Sequence, residues 1–204
     1  MNPPPPRALV FGASGQIGRR VLARLQARGW QVVALCRGEP PAAAPGVEWR
    51  RGALPDTAGT GNGFDAIFSC GPLDLFSLWY EGRATGAARV VAFCSTSVHV
   101  KHASSDPAER ELAGRLRAAE ARLAAAAAAR GATATLLRPT LVYGAGSDRN
   151  LSRIAALARL NGFFLLPHDA CGLRQPVHVD DLADAALAAL QRAGTDFAAY
   201  DLPG

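Results

Sequence analysis

Three glycines, a hydroxyl cluster, a few histidines and tyrosines and one arginine are the places where this chain can do chemistry. Gly12, Gly15 and Gly18 fall in the run Phe11-Gly12-Ala13-Ser14-Gly15-Gln16-Ile17-Gly18. A G-x-x-G-x-x-G run holds a dinucleotide when it joins a strand to a helix. The first glycine allows the tight turn, the second admits a pyrophosphate to a backbone without Cβ, and the third lets the helix lie close to the sheet. Ser14, Gln16 and Ile17 belong to the same turn, where a helix N-terminus offers unpaired N–H groups and partial positive charge. A glycine turn kept for packing alone is the competing reading. Arg37 stands 19 residues after Gly18. An acid there would hold the ribose 2′-hydroxyl of NAD, whereas an arginine suits the 2′-phosphate of NADP. Arg19 and Arg20 are placed to join that pocket, and a solvated loop charge is the plainer reading of Arg37. Ser95, Thr96 and Ser97 supply hydroxyls, and His99 and His102 follow them. Histidine titrates near neutrality and so suits proton transfer. Tyr143 is a further candidate, equally suited to packing. His178 alternates with Val177 and Val179 and reads as structural.

The elements that must position these residues can be read from the apolar pattern. Ala8–Phe11 is a short buried strand, Ile17, Val21, Leu22 and Leu25 share one helix face, Gly29 closes that helix, and Gln31–Leu35 is a second strand. Glu39–Gly46 is a Pro- and Ala-rich loop, Val47–Arg50 a short strand, and Ala53–Gly63 a loop. Strands follow at 66–70, 89–94, 132–137, 176–179 and 198–202, and helices at 73–82, 107–130, 150–160 and from Asp180 or Asp181 to about Gly194. Asp106 with Pro107 and Glu109 makes a strong helix start. Arg138–Gly144 is expected to leave the sheet. Strands alternating with helices predict an α/β, Rossmann-like doubly wound, mostly parallel sheet with helices on both faces. Ligands of such sheets lie at the carboxyl ends of the strands. The glycine turn, Cys70-Gly71-Pro72, Ser95-Thr96 and Pro139-Thr140 all fall at such ends.

Composition narrows the class further. The chain of 204 residues reads as a disordered lead-in over 1–6 and one domain over 7–204. Its formal charge of +5 comes from 21 arginines and the single lysine Lys101, spread among acids with no dense basic run, which argues against nucleic acid. Cys36, Cys70, Cys94 and Cys171 form no C-x-x-C pair and read as small buried hydrophobes of a reducing compartment, with no metal site. No uncharged apolar run approaches a membrane span, and a cytoplasmic protein is expected.

Four ordered segments carry a resemblance: GASGQIG over 12–18, STSVH over 95–99, RPTLVYG over 138–144 and RQPVHVDD over 174–181. Together they resemble the extended and atypical short-chain dehydrogenase/reductases, and within them the NAD-dependent epimerase/dehydratase group. The length is similar to compact members of the flavin reductase/biliverdin reductase B type. The resemblance implies that Ser95 is the active-site hydroxyl, that Cys70, Gly71 and Pro72 lie along the nicotinamide ribose, and that Pro139 and Thr140 sit near the nicotinamide. It further implies that Arg174 meets substrate phosphates. Two departures stand out. Counting back from Glu120 puts Leu112 and Leu116 where the family carries its catalytic Tyr-x-x-x-Lys, and no such pair exists in the chain. Ala53 stands where the family has an Asp against adenine, leaving that contact to the backbone of Leu54.

The function expected is an NADP(H)-dependent oxidoreductase, with NAD(H) as the second choice of cofactor. A small-molecule or flavin-like acceptor would sit among Ser95, Thr96, His99 and Tyr143. Hydride transfer to a conjugated acceptor needs little from the protein, so it tolerates the lost pair. A catalytically silent NADP-binding regulator and a truncated sugar-nucleotide epimerase are the alternatives. The helices at 73–82 and 107–130 are candidates for a homodimer contact.

Overall fold

The computed structural model describes residues 3–42, 44–57, 60–83, 86–146, 151–163, 175–194 and 196–204. In chain order the elements are β1 (Arg7–Phe11), α1 (Gln16–Ala27), β2 (Gln31–Cys36), β3 (Val47–Arg51), β4 (Ala66–Ser69) and α2 (Leu73–Glu81), then β5 (Arg89–Phe93), α3 (Ser97–Val100), α4 (Pro107–Ala129), β6 (Thr133–Pro139) and β7 (Leu141–Tyr143). The chain closes with α5 (Leu151–Asn161), β8 (Pro176–His178), α6 (Val179–Ala189) and β9 (Phe197–Leu202).

Seven strands form one parallel sheet in the order β3-β2-β1-β4-β5-β6-β9. The chain winds outward from β1 in both directions, so the sheet reverses between β1 and β4. That reversal opens a crevice above the strand ends. Because both faces are covered, the inner strands read as continuous apolar runs. On one face Val10, Ala34, Phe68 and Phe93 meet Val21, Leu22 and Leu25 of α1 and Leu182, Ala186 and Leu187 of α6. On the other, Leu9, Phe11, Ile67, Val90 and Leu136 meet Phe76, Trp79 and Tyr80 of α2 and Leu123 of α4. Phe11 lies edge-on to Phe76 and Trp79, with ring centroids 5.5 and 4.5 Å apart. Burial of each Val, Leu, Ile or Phe side chain among them contributes about 1.5–3 kcal/mol over its exposed state.

Caps and ion pairs fix the helices. Asp106 accepts from the Ala108 N–H at 2.9 Å, with Pro107 at the first helical position, as expected. Arg24 of α1 donates to Asp184 (2.5 Å) and Asp180 (3.0 Å) of α6. The Asp184 hydrogen bonds raise the Arg24 guanidinium above its ordinary value, and Arg24 holds the Asp184 carboxyl below its own.

Several expectations are corrected. Arg138 and Pro139 do not leave the sheet: they extend β6 and pair with Asp201 and Leu202 of β9. The chain then enters a second, two-stranded sheet, in which Leu141–Tyr143 pairs with Pro176–His178. The last helix is capped by neither Asp180 nor Asp181. The His178 Nδ1 accepts from the Asp180 N–H at 3.3 Å, and the helix ends at Ala189 rather than near Gly194. Ser97–Val100 forms a short helix. Among the described residues no helix is long and apolar enough to cross a membrane, and no group of three or more His, Cys, Asp or Glu could hold a metal ion.

Candidate functional site

The glycine turn is built as its spacing demands. Gly12 adopts φ +67°, and a Cβ there would lie 2.8 Å from the Cys70 carbonyl oxygen. A Cβ on Gly18 would overlap the Gly12 carbonyl oxygen and come within 2.8 Å of Ala13 Cα. Gly12 is therefore required by its left-handed turn against the end of β4, and Gly18 by the packing of α1 on that turn. Gly15 is different: it caps α1 without any side-chain hydrogen bond, and its missing Cβ would be 3.1 Å from the Gly12 oxygen. Gly71 differs further, since its missing Cβ would make only an ordinary contact, 3.7 Å from Leu54 Cδ1. Backbone bonds from Ala13 N–H to the Leu35 carbonyl (3.1 Å) and from Cys70 N–H to the Phe11 carbonyl (3.0 Å) hold the three strand ends together.

Above these ends lies a cleft of about 710 Å³. Its wall runs from Gly12, Ser14 and Gly15 past Cys36 and Arg37 to Ala53 and Leu54, and closes over Cys70, Gly71 and Pro72. Two helix N-termini, those of α1 and α2, begin on its wall; that of α1 carries no side-chain cap, whereas in α2 the Asp74 carboxylate accepts from the Leu75 N–H at 3.0 Å. The unpaired N–H groups of α1 favour an anion. Arg37 faces this cleft without a hydrogen-bond or ion-pair partner among the described residues. Arg19 and Arg20 do not accompany it: Arg19 donates to the Ser14 carbonyl at 2.8 Å, and Arg20 faces Asp180 at 3.6 Å. Gln16, Ile17 and Gly18 lie in α1 behind the cleft wall.

Across Gly71 and Pro72 the cleft continues into a pocket of about 380 Å³. Ser95 and Ser97 line it beside Leu73 and Phe93. Leu112 and Leu116, one turn apart on α4, form its far wall, and Asp74 and Arg115 stand at its rim, 4.0 Å apart. The Ser97 N–H donates to Ser95 Oγ at 3.2 Å, and the two hydroxyls are 3.0 Å apart.

The other residues singled out from the sequence lie elsewhere. Thr96 bonds the Pro139 carbonyl through its N–H, at 3.2 Å. Pro139 is buried in β6, and Thr140 donates through Oγ1 to the Gln175 carbonyl. His99 Nε2 meets Asp201 at 3.4 Å, and His102 Nδ1 meets the His99 carbonyl. Tyr143 sets its ring edge-on to His178, 5.1 Å away, which fits the packing reading of both. None of these six lines the cleft or the pocket. Arg174, Cys171 and Asn150 lie outside the described residues. Asp74, Arg115, Leu73 and Phe93 were not anticipated, because they come together only when α2, β5 and α4 converge.

Beside the pocket, Arg138 donates two bonds to Glu120, at 2.8 and 2.5 Å, with side-chain exposures of 15% and 12%. Glu120 raises the Arg138 guanidinium further above its ordinary value. Burial pushes the Cys70 and Cys94 thiols up to about 12. Only a thiolate is nucleophilic, so at about pH 8 both should resist iodoacetamide in the folded protein and react once urea unfolds it. Mass spectrometry of the labelled peptides checks this, and rapid native labelling of Cys70 would contradict so strong an upward shift of its thiol.

Parallel β-α-β winding around a reversal point, with a glycine turn and the uncapped N-terminus of α1 at the crevice, defines a Rossmann-type nucleotide-binding domain. The chain belongs to the NAD dependent epimerase/dehydratase family, whose model matches residues 83–201. Solved structures of similar fold include MoeE5 in complex with UDP-glucose and NAD (TM-score 0.79, 24% identity, 97% of this chain and 76% of that one). A UDP-galactose 4-epimerase follows at TM-score 0.75, 20% identity and coverage of 97% and 77%. The UDP-N-acetylglucosamine 4-epimerase of Bacillus cereus has TM-score 0.74, 16% identity and coverage of 97% and 75%. At these identities the likeness is one of fold. Comparison with curated protein sequences gives no match.

Proposed function

We propose that the cleft binds NADP(H) and that the adjoining pocket receives the partner in a hydride transfer, making the protein an oxidoreductase of the atypical short-chain type. The observation that carries this is Arg37, unpartnered among the described residues, on the wall of a cleft whose backbone is left bare at Gly15 and Gly71. Neither position has the positive φ that demands glycine, and at Gly71 the fold itself has room for a methyl group. A ligand pressed against the backbone explains the absence of side chains there. Gly12, Ser14 and Gly15 would hold the pyrophosphate, Arg37 the 2′-phosphate, Leu54 the adenine, and Cys70, Gly71 and Pro72 the nicotinamide ribose. When bound, the reduced nicotinamide supplies a hydride. The hydrogen-bonded hydroxyl pair of Ser95 and Ser97 is placed to hold an acceptor oxygen.

MoeE5 was solved with NAD, which supports a dinucleotide here. The preference for NADP rests on Arg37 alone. Titration calorimetry with NADPH and NADH tests it. Wild type is expected to prefer NADPH, and Arg37→Asp to weaken NADPH at least tenfold, about 1.4 kcal/mol, while leaving NADH within threefold. A wild type that prefers NADH would overturn the assignment.

A second reading, a regulator that binds NADP without turnover, is favoured by Leu112 and Leu116 on the wall where the family resemblance places a tyrosine and a lysine. It predicts binding with no oxidation of NADPH by any carbonyl, flavin or quinone. A truncated sugar-nucleotide epimerase also fits the family match and the structural neighbours.

A further inference from the structure

The pocket beside Ser95 has a chemical character of its own. Leu73, Phe93, Leu112 and Leu116 make its walls apolar. Its rim carries Asp74 and Arg115, 4.0 Å apart, and Arg115 also faces Glu111 at 3.5 Å. One cation between two acids gives that rim no surplus positive charge for a phosphate or carboxylate. No described histidine, tyrosine or lysine lines the pocket. Its polar side chains on the inner side are the hydroxyls of Ser95 and Ser97, and the Ser97 N–H donates to Ser95 Oγ at 3.2 Å. Ser95 Oγ in turn donates to Ser97 Oγ at 3.0 Å, which leaves the Ser97 hydroxyl to donate to a ligand oxygen.

We infer that this pocket takes a neutral, apolar, conjugated carbonyl compound, an enone or quinone, which it reduces at carbon. The inference rests on the NADP(H) reading above. The chemistry follows from the missing acid. Reduction of a simple ketone places the hydride on the carbonyl carbon and makes a strongly basic alkoxide, which needs a proton donor at that oxygen. In a conjugated acceptor the hydride goes to the β-carbon. The C=C electron pair shifts to form the C=C bond of an enolate, and the carbonyl electron pair moves onto oxygen. That weakly basic oxygen needs only a hydrogen bond from the Ser97 hydroxyl. Water later supplies one proton, to the α-carbon of an enone or to the oxygen of a quinone. One hydride and one proton are added to the acceptor, and the dihydronicotinamide is oxidised.

Two measurements test this, with 2-methyl-1,4-naphthoquinone as the binding probe. Calorimetry should show the quinone binding wild type without cofactor. Leu112→Asp should weaken it at least tenfold, whereas Arg115→Ala should change it less than threefold because the ligand is neutral. Leu112 is half-buried and outside the two cores, so Leu112→Asp should fold, and Leu112→Asn is the milder alternative. With NADPH present, 2-cyclohexenone should be reduced at least a hundredfold faster than cyclohexanone. Equal rates for the two, no turnover of either, or quinone binding indifferent to both Leu112 variants would overturn the inference. Failure of NADPH itself to bind would overturn the cofactor reading and the hydride step together. Quinone binding sensitive to Leu112 would then still assign the apolar pocket.

Discussion

Gly18→Val is expected to yield no folded protein, whereas Gly71→Ala should fold normally and lose its cofactor. A Cβ at residue 18 would overlap the Gly12 carbonyl oxygen, and it would sit 2.8 Å from Ala13 Cα. Both are backbone atoms of the turn that joins β1 to α1, and that turn is tied to β2 and β4 by the Ala13–Leu35 and Cys70–Phe11 hydrogen bonds. No rotamer change relieves the overlap. Only moving α1 off the sheet does, and that would expose Val21, Leu22 and Leu25, all buried. Backbone overlap together with loss of three buried side chains amounts to several kcal/mol, comparable to the net stability of a domain, about 5–15 kcal/mol. Residue 71 is the control. Its φ is not positive, and its added methyl would meet only the end of the Leu54 side chain, 3.7 Å away. Thermal melting followed by circular dichroism should place Gly71→Ala within a few degrees of wild type. NADPH calorimetry should show its affinity down at least tenfold. A well-folded Gly18→Val would mean that α1 is not held against the turn. Unchanged NADPH affinity in Gly71→Ala would move the cofactor away from that wall.

These glycines also show what a sequence can disclose. Gly12 and Gly18 were legible because their demands are local: a turn of positive φ and a helix that must start within a few residues of a strand. The parallel sheet was legible for a similar reason, since apolar runs such as Val32–Cys36 and Ala66–Ser69 alternate with helix-period segments. Arg138 and Pro139 were misread because their partner strand, β9, arrives more than 60 residues later, and nothing local announces it. The cap of α6 was misread because aspartate is the commoner capping residue, and two of them follow His178. A histidine acceptor at that position depends on the tautomer, which the sequence does not carry. The pocket was only half legible. Ser95 stands out as a hydroxyl at a strand end, but Asp74 and Arg115 belong to different helices, and Leu112 and Leu116 look like any apolar pair on an amphipathic helix. His99 and Tyr143 were attractive for their chemistry alone. Asp201 and His178, which they actually face, lie 102 and 35 residues further along the chain.

Glu120→Ala should cost about 2–4 kcal/mol and deform the pocket. Glu120 and Arg138 form a bidentate pair at 2.8 and 2.5 Å with side chains only 12% and 15% exposed. Truncating one partner of such a pair strands the other charge in a poorly hydrated place, and that stranding dominates the cost. Asp201, 3.4 Å from Arg138 but half exposed, offsets part of it, which is why the lower part of the usual range for a buried pair is expected. In a chain of this length the loss corresponds to a melting temperature lower by on the order of 10 °C. Asp201→Ala, by contrast, removes only half-exposed, screened contacts to Arg138 and His99 and should cost under about 1 kcal/mol. Replacing both partners, as Glu120→Leu with Arg138→Leu, should recover much of the loss, because no charge is left without a partner. The functional consequence follows from where the pair sits. Glu120 is one turn beyond Leu116 on α4, and Arg138 lies on β6, whose Leu137 carbonyl accepts the Cys94 N–H at 2.8 Å, next to Ser95. The ion pair therefore fixes the distance between the leucine wall and the serine hydroxyls. Glu120→Ala should weaken quinone binding while leaving NADPH affinity within threefold, because α4 contributes nothing to the cofactor cleft. Equal losses for both ligands would show that the variant had simply loosened the domain. A selective loss would show that the pair positions the pocket.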